Sequence, residues 1–124
     1  MNDINSLLTL SSEDMDTAEF LYRDKRYHPS ISPAYYSMFY TAQALLISGG
    51  FDTSTHKGVI KLINQHFVNT GKLALDVAKL LKSTHDLRQS GDYETDFVVD
   101  QGVADQAIAD AKTFIAEVRK ILAI

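Results

Sequence analysis

The sequence contains no cysteine and no tryptophan. Without thiols it can form no disulfide, no thiolate metal site and no cysteine nucleophile. Glycine and proline are scarce, at six and two residues, too few for a linker or a low-complexity chain. The start, Met1-Asn2-Asp3-Ile4, lacks the basic segment and apolar run of a signal peptide, so the cytoplasm is the expected location. An excess of positive charge is missing too. A net charge of -4 argues against a nucleic-acid binder that uses its whole surface, although it allows a local basic patch. What remains is 124 residues, 45% of them hydrophobic and 23% charged. That composition describes one domain over residues 1–124 with a single core.

No Asp, Glu, Lys or Arg occurs from Tyr27 to Phe51. The stretch nevertheless carries Pro29, Pro33, Ser37, Thr41, Gln43 and Gly49, and only Ala34 to Ile47 is strongly apolar. A membrane span needs about 20 apolar residues. A buried helix is therefore expected here, and no membrane association.

The apolar period is helical almost throughout. Leu8, Met15, Ala18 and Tyr22 share a first stripe, and Ser11 with Asp14 leaves helix 1 either continuous or broken there. Helix 2 is expected to begin near Pro29 to Pro33 and to stop at Gly49-Gly50. It is apolar nearly all round, which makes it the central helix. Helix 3 starts after Ser54-Thr55 and ends at Gly71. Helix 4 runs from about Leu73 to Ser90, with Leu73, Val77, Leu80, Thr84 and Leu87 on one side, and Gly91 ends or loosens it. The segment from Glu94 to Asp100 reads as an extended connection, and Asp100 caps helix 5. The expected fold is all-α, an up-and-down bundle of about five helices with short connections.

Charge is segregated along the chain. His56 to Arg88 holds six Lys or Arg against two Asp, while Gln89 to Ala111 holds six acids and no base. Such a division suits a polar ligand site or two complementary surfaces; solvated helix faces are the plainer alternative.

The densest cluster is His85-Asp86-Leu87-Arg88-Gln89-Ser90-Gly91-Asp92-Tyr93. At about 100° per residue, His85, Arg88 and Asp92 fall on one side of helix 4, flanking its apolar stripe. An arginine at a core edge can hold a phosphate with its fork, and a nearby histidine can move protons near neutral pH. An Arg88–Asp92 ion pair with His85 as a neutral spacer is the alternative, since such surface pairs are common. At the start of helix 3, His56 and Lys57 add donors where a helix N-terminus attracts anions. His66 reads as a core histidine near Ile63 and Phe67, and His28 as a loop residue. Tyr35, Tyr36, Phe39 and Tyr40 lie on helix 2, and some of these tyrosines can line a cleft or an interface, because each hydroxyl needs a partner. No metal-ligand spacing and no nucleotide-cofactor or hydrolase motif occurs, so no cofactor is expected.

Taken together, these segments resemble a known family. Ser32-Pro33-Ala34-Tyr35-Tyr36-Ser37-Met38-Phe39 with Ala44-Leu45-Leu46 is similar to the central helix of a prokaryotic branch of HEPN domains, whose name stands for higher eukaryotes and prokaryotes nucleotide-binding. Ser54-Thr55-His56-Lys57-Gly58-Val59-Ile60, then His66-Phe67-Val68-Asn69-Thr70-Gly71, resembles the branch's next helix. Leu87-Arg88, then Asp92-Tyr93-Glu94, resembles its signature arginine and Asp-Tyr pair. The likeness runs from about Ala18 onward.

The resemblance implies a helical homodimer with the signature helices around a shared cleft. It also implies a possible partner, a minimal nucleotidyltransferase, in a toxin–antitoxin type pair. Active toxins of the family are metal-independent RNases with an R-x(4-6)-H motif, and in some pairs the partner transfers AMP to a nearby tyrosine. Here the window after Arg88 holds Asp92-Tyr93-Glu94-Thr95 and no histidine, and Tyr40 stands where many relatives have histidine. The expected ligand-binding set is His56, Lys57, Tyr36, Arg88 and Asp92, for a nucleotide, RNA or the partner enzyme. Arg88 and His85 are the catalytic candidates, and Tyr93 the candidate AMP acceptor. Little or no RNase activity is expected. One alternative is an RNase toxin in which His85 or His56 replaces the missing histidine; another is a non-catalytic adaptor.

Overall fold

The computed structural model describes residues 3–93 and 97–124, and of Asp92 and Tyr93 the backbone alone. Five α-helices follow one another: α1 (Ile4–Arg23), α2 (Tyr27–Ser48), α3 (His56–Ile63), α4 (Leu75–Tyr93) and α5 (Gln101–Leu122). Among the described residues there is no strand, and the all-α bundle is as the apolar period indicates.

Caps set several boundaries. Asp3, Thr55 and Asp100 each accept a backbone N–H three residues on, from Ser6, Gly58 and Val103. Helix α1 is continuous, because Ser11 faces inward instead of capping a break. Its hydroxyl donates to the Ser37 carbonyl of α2 at 2.7 Å and lies 2.7 Å from the Thr41 hydroxyl. Helix α2 begins at Tyr27, earlier than the prolines suggest, and Pro33 lies inside it. Ile31 in this early part is buried against Ala104 and Ala107 of α5, and that packing outweighs the lost N–H. His28 consequently sits in the first turn of α2, not in a loop.

The third helix is shorter than expected. Helix α3 ends at Ile63 and widens into a π-turn, Asn64–Val68. Gly71, at φ 81°, turns the chain back toward α4. Helix α4 continues through Gly91 rather than ending there. A Cβ on Gly91 would lie 3.1 Å from His28 Nε2, so the glycine makes room for α2's first turn.

Helix α2 packs against all four other helices. The main core runs through Met38, Ala42 and Leu45 of α2, Val59 and Ile63 of α3, Leu81 of α4 and Phe114 and Val118 of α5. The buried face of α4 agrees with the expected one at Thr84, and at Leu73 just before the helix, but Ala78 and Leu81 are inside in place of Val77 and Leu80, which are half-buried like Leu87. Continuing that inward face by three and four residues leads to His85 and Arg88. No helix among the described residues is long and apolar enough to cross a membrane.

Gly58 tests the α3 start. A Cβ there would meet the Thr53 hydroxyl at 2.4 Å and the capping Thr55 hydroxyl at 2.8 Å. Gly58→Ala is expected to lower stability by about 1–2 kcal/mol in denaturant unfolding, the size of a lost cap. Gly102→Ala, whose Cβ meets only Asp100 Oδ1 at 3.5 Å, is expected to be neutral or to stabilise by up to about 1 kcal/mol.

Candidate functional site

Three helices converge on one polar cluster. Helix α2 contributes Ser32, Tyr35 and Tyr36, α3 contributes His56 as its first residue, and α4 contributes His85 and Arg88. The Tyr35 hydroxyl and His56 Nδ1 are 2.9 Å apart. The His56 and His85 rings stack, with centroids 3.5 Å apart and planes 12° from parallel. His85 also lies against the Tyr35 ring, at 5.1 Å. The Arg88 guanidinium stands 5.2 Å from the Tyr36 ring centroid and donates from Nε to the Ser32 hydroxyl at 3.2 Å.

The local sequence accounts for this convergence. Tyr35 is buried because it lies on the all-apolar part of α2. Its phenol end still reaches a polar partner because the Thr55 cap fixes where α3 starts and so where His56 sits. His85 and Arg88 are three residues apart on the inward side of α4, where the apolar stripe gives way to polar residues.

Burial shapes the proton affinities. Desolvation pushes the Tyr35 phenol above its ordinary range, so it stays a hydroxyl and can donate to a neutral His56. Desolvation, then the neighbouring His85, lowers His56 to about 4. His85 is lowered as well, mainly by desolvation, with Asp86 opposing. Asp86 Oδ1 lies 3.9 Å from His85 Nδ1, but its other oxygen is held by Lys82 at 2.9 Å. At neutral pH the cluster is therefore a neutral imidazole pair beside one arginine. Such an arrangement can bind an anion through Arg88 and accept a proton on imidazole.

The cluster unites His56, His85, Arg88 and Tyr36, four of the residues expected from sequence. Lys57 is exposed on the first turn of α3. The side chains of Asp92 and Tyr93 lie outside the described residues, so neither the Arg88–Asp92 pair nor the AMP-acceptor role is addressed by the geometry. His66 is not a core histidine: it is half-buried and stacks on Phe51 at 4.0 Å. The π-turn places it at that edge. Sequence reasoning did not single out Ser32 as a site residue, and it placed Tyr35 only among aromatics able to line a cleft. The i,i+3 step from Ser32 to Tyr35 was the available signal. Among the described residues no group of three His, Asp or Glu is poised to hold a metal ion.

The HEPN domain profile matches residues 4–121. The chain belongs to the HEPN domain family. A Methanocaldococcus jannaschii protein named "Putative toxin" is 30% identical over 120 residues, covering 97% of this chain and 89% of the relative. A second protein of that name from the same organism is 25% identical over 120 residues, covering 97% and 82%. A Thermotoga maritima protein of the UPF0332 group is 30% identical over 110 residues, covering 89% and 83%. The family match thus runs through all five helices.

The depressed histidines give this HEPN domain a pH dependence of known sign. The fold favours neutral His56, so its contribution is whole above about pH 6.5. It declines as pH falls from there toward about 4, because the unfolded chain binds the proton first. Urea unfolding at pH 7.5 and pH 5 should show lower stability at pH 5. His56→Gln should make that drop smaller; an unchanged drop would contradict the assignment.

Proposed function

We propose that this HEPN protein binds a phosphate-bearing ligand, a nucleotide or RNA, at the Arg88 cluster and acts in a toxin–antitoxin type pair. One observation carries the binding reading: Arg88 is positioned by Ser32 and Tyr36 beside two neutral imidazoles. A guanidinium over an aromatic face, flanked by further donors, suits a phosphate. The names of the Methanocaldococcus relatives support the toxin-like role. A minimal nucleotidyltransferase is the partner in this reading, with Tyr93 as its AMP acceptor.

The working unit is a homodimer. Helix α2 carries no formal charge except its histidine's potential one, and Tyr36 and Tyr40 on it remain half-buried in the single chain. The two copies meet through α2 and α4, which forms the shared cleft around Arg88. Light scattering at micromolar concentration should give twice the chain mass; a monomer would overturn this assembly.

A second reading, metal-independent RNA cleavage, is favoured by the position of His85. Transesterification needs an acceptor for the 2'-hydroxyl proton, and a neutral imidazole one turn from Arg88 is one. The window after Arg88 offers no histidine, so any cleavage depends on residues before it.

Calorimetry with nucleotides and short RNAs should detect binding that weakens as salt rises. Arg88→Ala should weaken it about tenfold or more, the scale of a charge-assisted hydrogen bond. Equal binding by the variant would remove Arg88 from the site. Labelled RNA incubated without metal should be cleaved slowly or not at all, and any cleavage should vanish in His85→Ala. Brisk cleavage that survives this change would overturn the role of His85.

A further inference from the structure

Helices α2 and α4 run antiparallel past one another, and their facing residues form a seam of three rungs. Tyr35 meets His85, with ring centroids 5.1 Å apart, and the His56 ring stacks on His85. The Ser32 hydroxyl meets Arg88 Nε at 3.2 Å. His28 meets Gly91, where a Cβ would lie 3.1 Å from the ring's Nε2. At about 1.5 Å per residue, steps of three and four residues put the rungs about 4.5–6 Å apart. That spacing follows from the two backbones and holds whatever else Arg88 touches.

His28 is exposed in the first turn of α2. Its ring lies where a side chain at position 91 would begin, so the glycine gives the imidazole its place on the seam. A neutral imidazole donates from one nitrogen and a protonated one from both, so in either state His28 offers a donor to a phosphate oxygen. The Ser32–Arg88 rung thus has an imidazole on each side. His28 stands toward the end of α4 and His85 toward its start.

Donors repeated at intervals of about one turn suit a ligand whose phosphates also repeat. Adjacent phosphates of a nucleoside diphosphate share one oxygen and lie too close together to reach separate rungs. In a nucleic-acid strand a ribose separates them, so successive phosphates can follow the seam. Building on the phosphate-binding reading above, we infer that His28 contacts the ligand. This ligand is a single nucleic-acid strand lying along the α2–α4 seam, with phosphates on more than one rung.

Calorimetry on the whole protein tests this with two pairs of ligands. ApA and ApApA carry one and two internal phosphates; AMP and ADP carry theirs at one end. ApApA should bind about tenfold more tightly than ApA, the scale of one charge-assisted hydrogen bond. ADP should show no such gain over AMP. His28→Ala should remove most of the ApApA gain and leave ApA binding unchanged. Gly91→Leu should do the same, because the new side chain takes the ring's place while His28 itself remains. In proton NMR the His28 Cε1–H signal, assigned by its loss in His28→Ala, should move when ApApA is added. Equal binding of ApA and ApApA, or a gain that His28→Ala leaves intact, would overturn the inference and leave the phosphate site standing. A gain for ADP that disappears in His28→Ala would overturn the strand in favour of a nucleoside polyphosphate. Failure of all four ligands to bind would overturn the phosphate reading itself.

Discussion

Helix α2 carries no Asp, Glu, Lys or Arg from Tyr27 to Ser48, and most of its length is buried. A helix apolar on every side must be enclosed, and here four helices enclose it. Its polar side chains are settled locally. Ser30, Ser37 and Thr41 return their hydroxyl protons to carbonyls three or four residues back, and Ser11 of α1 joins the last of these. Among the described residues no buried side-chain nitrogen or oxygen lacks a partner. Two others reach outside the helix: Gln43 donates to the Thr53 carbonyl at 3.0 Å, and the second is Tyr35. Its hydroxyl reaches out of the helix to His56, so the central element of the core also anchors the site.

That coupling explains why the site has a defined geometry. The Arg88 cluster is built on the core's edge. Tyr35 and Leu81 are fixed by packing, and the imidazoles and guanidinium stand on residues next to them. Side chains held this way lose little further freedom when a ligand binds.

Much of this was legible in the chain. The helical period gave the five elements, the charge-free stretch gave the central helix, and Asp100 and Thr55 marked two starts. The errors arose where tertiary packing overrode a local signal. Pro29 and Pro33 pointed to a later start for α2, yet Ile31 packing on α5 holds the earlier turn together. Gly91 read as a stop, but its missing side chain accommodates His28 from another helix. Along α4 the expected stripe holds at Thr84 but gives way at Val77 and Leu80 to Ala78 and Leu81, because apolar residues adjoin there and the period alone does not choose between them. Within the site, His85 and Arg88 were readable from their spacing on one helix. The contact between His56 and His85 was not, since the two lie 29 positions apart in sequence and only the angle between α3 and α4 brings them together.

The same contact bears on the missing motif histidine. In the family's RNase form the histidine follows the arginine, toward the C-terminal end of the helix. Here the nearest imidazole precedes Arg88 by three residues, and a second arrives from α3. The proton-accepting groups are therefore displaced about one turn toward the start of α4, onto the side where Tyr35 packs. Placed there, both imidazoles are partly desolvated, which lowers their proton affinity, and the neighbouring His85 lowers that of His56 further. Lowered proton affinity leaves both rings neutral near pH 7, and a neutral imidazole can take up a proton, whereas an imidazolium can only give one away.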